Sequence, residues 1–167
     1  SQIMENWVKE KECLDLFAEH YETGEKIPGP ILEKILESNQ FLEGLATLRQ
    51  LSFSFLDMAW HTLEEMPNDL SVKSFEEQAM KRCSLFDHPS KARMSNAFGH
   101  LFAGGYSAGY YSYKWAEVLD ADAFELFKEK GIFNKEVATK FKENVLSQGG
   151  TEDPMTLYKR FRGQEPK

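Results

Sequence analysis

The residues with the most chemistry to offer lie between Phe98 and Tyr113, in the stretch FGHLFAGGYSAGYYSY. His100, Tyr106, Tyr110 and Tyr113 are neutral hydrogen-bond groups, and Gly104, Gly105 and Gly109 strip bulk from between them. Tyr106, Tyr110 and Tyr113 stand at i, i+4 and i+7, the spacing that predicts one helix face. Gly104 and Gly105 are suited to a positive φ or to flexing, and His100 lies just upstream, where a loop could fold it towards the tyrosines. A phenol stays protonated at neutral pH and donates without adding charge. That suits an oxyanion forming during acyl transfer, for which one donor is worth about 3–4 kcal/mol. The competing reading is aromatic core packing; spacing alone favours it, and the density of tyrosine and glycine brings the two level.

Other chemistries find less support. The four histidines, at 20, 61, 88 and 100, form no HExxH and no His-x-His. The one local metal candidate is Asp57, His61 and Glu64 or Glu65, whose spacing suits one helix face. Catalytic zinc wants three fixed ligands, so a buried histidine hydrogen-bonded to Asp57 is the better reading. Cys13 and Cys83 make no CxxC and have no activating context, and two unpaired thiols in a reducing compartment are expected. No phosphate-binding loop or dinucleotide fingerprint is present, because Gly104-Gly105 lacks a preceding strand and the required spacing.

The elements that must position these residues read as helices throughout. At 167 residues with 41% apolar composition, the chain can build one core. Its net charge of −7 is spread over mixed helix faces and argues against a nucleic-acid partner. No segment reaches the ~20 apolar residues of a membrane span. The periodicity predicts a helix from Ser1 to about His20, then a Gly/Pro-punctuated connection over Tyr21–Pro30. A short helix follows over Ile31–Ser38, and a strongly apolar one from about Asn39 to Leu63. Ser74-x-x-Glu77 reads as a capping box opening a helix to about Cys83. Leu85–Ala97, with Asp87-His88-Pro89-Ser90, reads as loop. A helix is expected from about Ser107 to Lys130, closed by Gly131 at C′. Asn134 caps another through about Ser147, ended by Gly149-Gly150, and Asp153-Pro154 opens the last, to about Phe161. The expected architecture is an all-α bundle of about seven helices in a single domain, residues 1–167.

The segment FGHLFAGGYSAGYYSYKWAEVLDADAF, Phe98–Phe124, resembles the C-terminal signature of the thimet oligopeptidase family of zinc peptidases. Its bacterial oligopeptidase A and dipeptidyl carboxypeptidase branch is the nearer match. Ser1–Trp7, Tyr21–Gly24 with Ile27-Pro28, Leu56–His61, Gly149-Gly150 with Asp153-Pro154, and Phe161–Gly163 fit in the same order. The resemblance implies an enzyme that hydrolyses short peptides in a deep helical channel, as an oligopeptidase or a peptidyl-dipeptidase. It implies zinc held by the two histidines of an HExxH helix and a later glutamate, with the motif glutamate as general base. None of these is in this sequence. The chain is therefore expected to be a C-terminal piece, without zinc or activity of its own, whose partner is the missing N-terminal part of the same enzyme.

Residue by residue, the resemblance makes His100 and Tyr106 contacts of the scissile peptide and its tetrahedral intermediate, and Tyr113 a further tyrosine on the substrate. Tyr110 takes a similar place, and Gly104-Gly105 becomes a loop that closes over bound peptide. A piece cut from such an enzyme is expected to expose apolar surface and to self-associate. The cysteines favour the cytosol over the periplasm. The rival reading is a non-catalytic helical module that binds peptides or proteins.

Overall fold

In the computed structural model, residues 1–86 and 91–167 are described. Among them all regular structure is helical, apart from one antiparallel bridge between Glu19 and Lys26. The all-α expectation is borne out. Asp87, His88, Pro89 and Ser90, which the sequence places in a loop, lie outside the described residues. The chain divides into two compact units, Ser1–Leu36 with Trp115–Lys167, and Glu37–Lys114.

The first unit opens with a 3-10 helix, Gln2–Lys9, followed by the single turn α1, Lys11–Leu14. The expected continuous helix to His20 does not form. Glu10 is extended, at φ −91° and ψ 128°. Leu16 and Phe17 are largely exposed, so the second half of the apolar pattern has nothing to pack on. The first half is anchored: the Trp7 indole donates to Ile132 O at 2.9 Å and packs edge-on against Phe124 and Phe127. Helix α2, Gly29–Gln40, starts at the predicted Gly-Pro and crosses into the second unit.

The rest of the first unit is helical and mostly follows its caps. Helix α6, Ser112–Lys130, is closed by Gly131, which takes φ +102° at the expected C′ position. Asn134 Oδ1 accepts from the N–H groups of Glu136 and Val137 and opens α7, Lys135–Phe141. A π-helical segment carries on over Lys142–Leu146. Asp153 caps α8, Pro154–Arg162, by accepting from Thr156 N. These elements close on a core of Phe124, Phe127, Ile132, Val137, Phe141 and Phe161.

The second unit is built on α3, Glu43–His61. The predicted helix from Asn39 is interrupted because Leu42 adopts φ +57°, which ends one right-handed helix and starts another. On α3, Phe53, Leu56, Asp57 and Trp60 fall at i, i+3, i+4 and i+7 and form its inward stripe. The buried hydroxyls of Ser52 and Ser54 bond back to the carbonyls of Arg49 and Gln50.

Helix α4, Val72–Met80, is capped by Ser71, three residues before the expected Ser74, and Ser71 Oγ accepts from Ser74 N. A 3-10 turn over Lys81–Cys83 follows. Within the predicted loop lies the turn α5, Met94–Ala97. Its first-turn donor, Ser95 N, is satisfied by the buried carboxylate of Glu76 on α4. Trp60 Nε1 donates to Ser95 Oγ at 2.8 Å and completes the link to α3. The core of this unit is Phe53, Leu56, Met80, Leu101 and Tyr110, with Trp60, Phe75, Met94 and Phe98 around it.

Candidate peptide-contact site

The site grows out of the core of the second unit. Leu101, fully buried, anchors a 3-10 turn over Gly99–Leu101 and leaves His100 exposed beside it. The chain then turns sharply, with Gly104 at φ +74° and Gly105 at φ +77°, the backbone freedom expected of this pair. Ser107 Oγ donates to Leu101 O at 3.0 Å and braces the turn from within.

The expected helix from Ser107 is not formed. Helix α6 begins at Ser112 and runs to Lys130. Ala108 stands at φ +56°, a left-handed conformation that a right-handed helix cannot contain. The segment is held instead by successive tight turns, with Gly109 N donating to Tyr106 O and Ser112 N to Gly109 O. Tyr106 and Tyr110 therefore precede the helix and do not share a helical face with Tyr113.

The turns nevertheless bring the predicted rings together. Tyr106 and Tyr113 stack at 5.5 Å between centroids, with 15° between planes. The His100 ring lies 4.9 Å from Tyr106 and 6.4 Å from Tyr113. Hydrogen bonding to Tyr106, with some burial, pushes the Tyr113 hydroxyl up to about 12, so it remains a neutral donor across the physiological range. Gly104 leaves little room beside Tyr106: a Cβ there would stand 3.3 Å from the ring.

Tyr110 has a different surrounding. It is 7% exposed, packs 5.1 Å from Phe98 and 5.1 Å from Tyr113, and donates its hydroxyl to Gln50 Oε1 at 3.0 Å. Burial raises its pKa, opposed by the Arg49 charge and the Gln50 bond.

Beneath these rings lies a carboxylate. Asp57, 0% exposed, accepts from Ala108 N on Oδ1 and from Tyr110 N on Oδ2, both at 3.0 Å. His61 Nδ1 is 3.0 Å from Asp57 Oδ1 and 2.8 Å from Asp57 O. Both neighbours are acceptors, so Nδ1 carries the hydrogen. The Asp57–His61 pairing is as expected, but His61 stands at the edge of the unit with its side chain 23% exposed. The reach of Asp57 to the backbone of residues 108 and 110 was not legible. Its only signal was an acid in the middle of an apolar stripe.

A zinc ion does not fit the described residues. Among the described residues no group of three or more His, Cys, Asp or Glu could hold a metal ion. The local alternative at Asp57, His61 and Glu64 or Glu65 fails because α3 stops at His61 and the helical face is not continued. Cys13 and Cys83 are both unpaired thiols, half-buried and buried.

On this helical chain a histidine and three tyrosines gather at a glycine turn. The chain belongs to peptidase family M3, whose model matches residues 1–167. It is 49% identical over 168 residues to oligopeptidase A of Escherichia coli K12, covering 99% of this chain and 24% of that protein. It is 37% identical over 168 residues to dipeptidyl carboxypeptidase of Salmonella typhimurium LT2, covering 99% of this chain and 25% of that one. A plant relative, the probable cytosolic oligopeptidase A of Arabidopsis thaliana, is 39% identical over 171 residues, 99% of this chain and 24% of the relative. The chain spans about a quarter of the length of these curated relatives. No helix among the described residues is long and apolar enough to cross a membrane.

Proposed function

We propose that residues 1–167 are the C-terminal piece of a peptidase catalytic region acting on short peptides, and that they supply its oxyanion donors. His100, Tyr106 and Tyr113 are the donors, and Gly104-Gly105 is the turn on which the substrate backbone lies. Tyr110 supports them from below. The observation that carries this reading is the convergence of the His100, Tyr106 and Tyr113 rings on a turn whose backbone only glycine adopts readily. The partners are short peptides and the remainder of the same protein. Zinc binding is assigned to that remainder; among the described residues of this chain no group of three or more His, Cys, Asp or Glu could hold it. Relatives named as oligopeptidase A and as dipeptidyl carboxypeptidase support peptide hydrolysis, by internal cleavage or by release of dipeptides. The plant relative's name supports a cytosolic setting.

Kinetics of Tyr106→Phe and Tyr113→Phe in the full-length protein test this. Each loses a donor made fully only in the transition state, so kcat falls about 10²–10³-fold while KM moves little. The chain of residues 1–167, in the same assay, turns over no peptide. Unchanged kcat in both variants removes the oxyanion role, and turnover by the chain alone removes the assignment of the hydrolytic groups to the remainder.

A further inference from the structure

Nothing in the reading above explains why a fully buried carboxylate stands under the tyrosines. Asp57 lies where α3 should be apolar, between Phe53 and Leu56 on one side and Trp60 on the other. A buried charge is tolerated only when it is well hydrogen-bonded. Asp57 is: it accepts the Ala108 N–H on one oxygen and the Tyr110 N–H on the other, and His61 Nδ1 stands 3.0 Å from the first. Both donors belong to the backbone of the turn that carries the rings.

The turn needs such a hold. Ala108 is in the left-handed region without being glycine, and backbone of that kind persists only where its surroundings over-determine it. Ala108 and Tyr110 flank Gly109, so the two oxygens of one carboxylate grip the chain on both sides of the bend. Tyr106 and Tyr113 leave the bend in opposite chain directions and return to stack on each other. His61 Nδ1 bonds to the Asp57 backbone carbonyl and stands 3.0 Å from the same oxygen that receives Ala108, so it flanks the carboxylate on that side.

We propose that Asp57, flanked by His61, is a positioning residue that holds the Gly104–Tyr113 turn in the bend that pairs Tyr106 with Tyr113. It touches no substrate and acts through the backbone of Ala108 and Tyr110. The structural part stands on the geometry alone; its consequence for turnover rests on the peptidase reading above.

Two measurements separate these parts. In Asp57→Asn, one acceptor oxygen becomes an NH2 group facing a backbone N–H. Amide hydrogen exchange at Ala108 and Tyr110 is expected to accelerate at least about tenfold, while amides in the middle of α4 keep their rates. Unchanged exchange at Ala108 and Tyr110 in a folded variant overturns the proposal. Should Asp57→Asn fail to fold, through-bond couplings in the unsubstituted protein from the Ala108 and Tyr110 nitrogens to Asp57 Cγ decide the matter. Both couplings are expected, and their absence overturns it.

The kinetic arm uses the full-length protein. Asp57→Asn should lower kcat at least tenfold with KM within threefold, and combining it with Tyr113→Phe should cost less than the product of the two single effects. Multiplicative losses would overturn action through the tyrosine. If Tyr113→Phe alone leaves kcat intact, Tyr113 is not one of the oxyanion donors, and the exchange result still judges the positioning claim.

Discussion

Tyr110→Phe separates support from substrate contact more cleanly than any other change in the site. The substitution removes one oxygen and keeps the ring, so the contacts with Phe53, Phe98, His100 and Tyr113 survive. What disappears is the hydroxyl donated to Gln50 Oε1 at 3.0 Å. A neutral hydrogen bond of this kind contributes about 0.5–1.5 kcal/mol net. Gln50 is only half-buried, so its amide oxygen can turn to water and no buried acceptor is stranded. That places the loss near the middle of the range, about 1 kcal/mol. Urea unfolding of the chain, followed by aromatic fluorescence, should show the midpoint lowered by about 0.3–1 M at unchanged slope. In the full-length protein the same variant should keep kcat within about tenfold, because less than about 1.4 kcal/mol is removed and the hydroxyl is committed to Gln50 Oε1. An unchanged unfolding midpoint together with a hundredfold fall in kcat would refute this reasoning and return the Tyr110 hydroxyl to the substrate.

The glycine turn and the tyrosine ionisations give further checks. Gly104→Ala places a Cβ 3.3 Å from the Tyr106 ring on a backbone at φ +74° and should cost about 1–2 kcal/mol. Gly105→Ala, at φ +77° with open space around it, should carry the backbone strain but leave Tyr106 in place, as tyrosine ring NMR would show. Tyr113 is raised by its bond to Tyr106, Tyr110 by burial, and Tyr158 by burial and then by its bond to Asp122. Raised phenol values mean that the folded chain favours the neutral form. The stability they contribute is complete below pH 10 and is lost as pH rises through the folded values. Absorbance at 295 nm should therefore show part of the tyrosine titrating above pH 10 in the folded chain and a single step near 10 in urea.

Local capping chemistry was the part of the fold most legible in the sequence. Asn134, Asp153 and Gly131 end or start helices where their side chains or backbone freedom require. Elements whose boundaries depend on distant partners were not legible. The first helix stops at Lys9 because Trp7 is held by Ile132 O and the aromatic core, while Leu16 and Phe17 find no such surface. The turn at Met94–Ala97 exists because Glu76, on another helix, satisfies one of its donors. Neither cause is visible within a window of neighbouring residues.

The candidate site shows the same division more sharply. Helical spacing chose Tyr106, Tyr110 and Tyr113 correctly as neighbours but for a reason the structure does not use. Regular helix from Ser107 would have aligned the three hydroxyls on one face and left Asp57 without the Tyr110 N–H. The Tyr110 N–H would instead have pointed along the helix axis towards the carbonyl of Tyr106. The bend at Ala108 turns the Ala108 and Tyr110 N–H groups onto the carboxylate, sends Tyr110 into the core and leaves Tyr106 and Tyr113 stacked beside His100. A buried acid and a left-handed alanine are each unfavourable alone. Each here supplies what the other lacks, so removing either should release the turn, and with it the pairing of the two tyrosines.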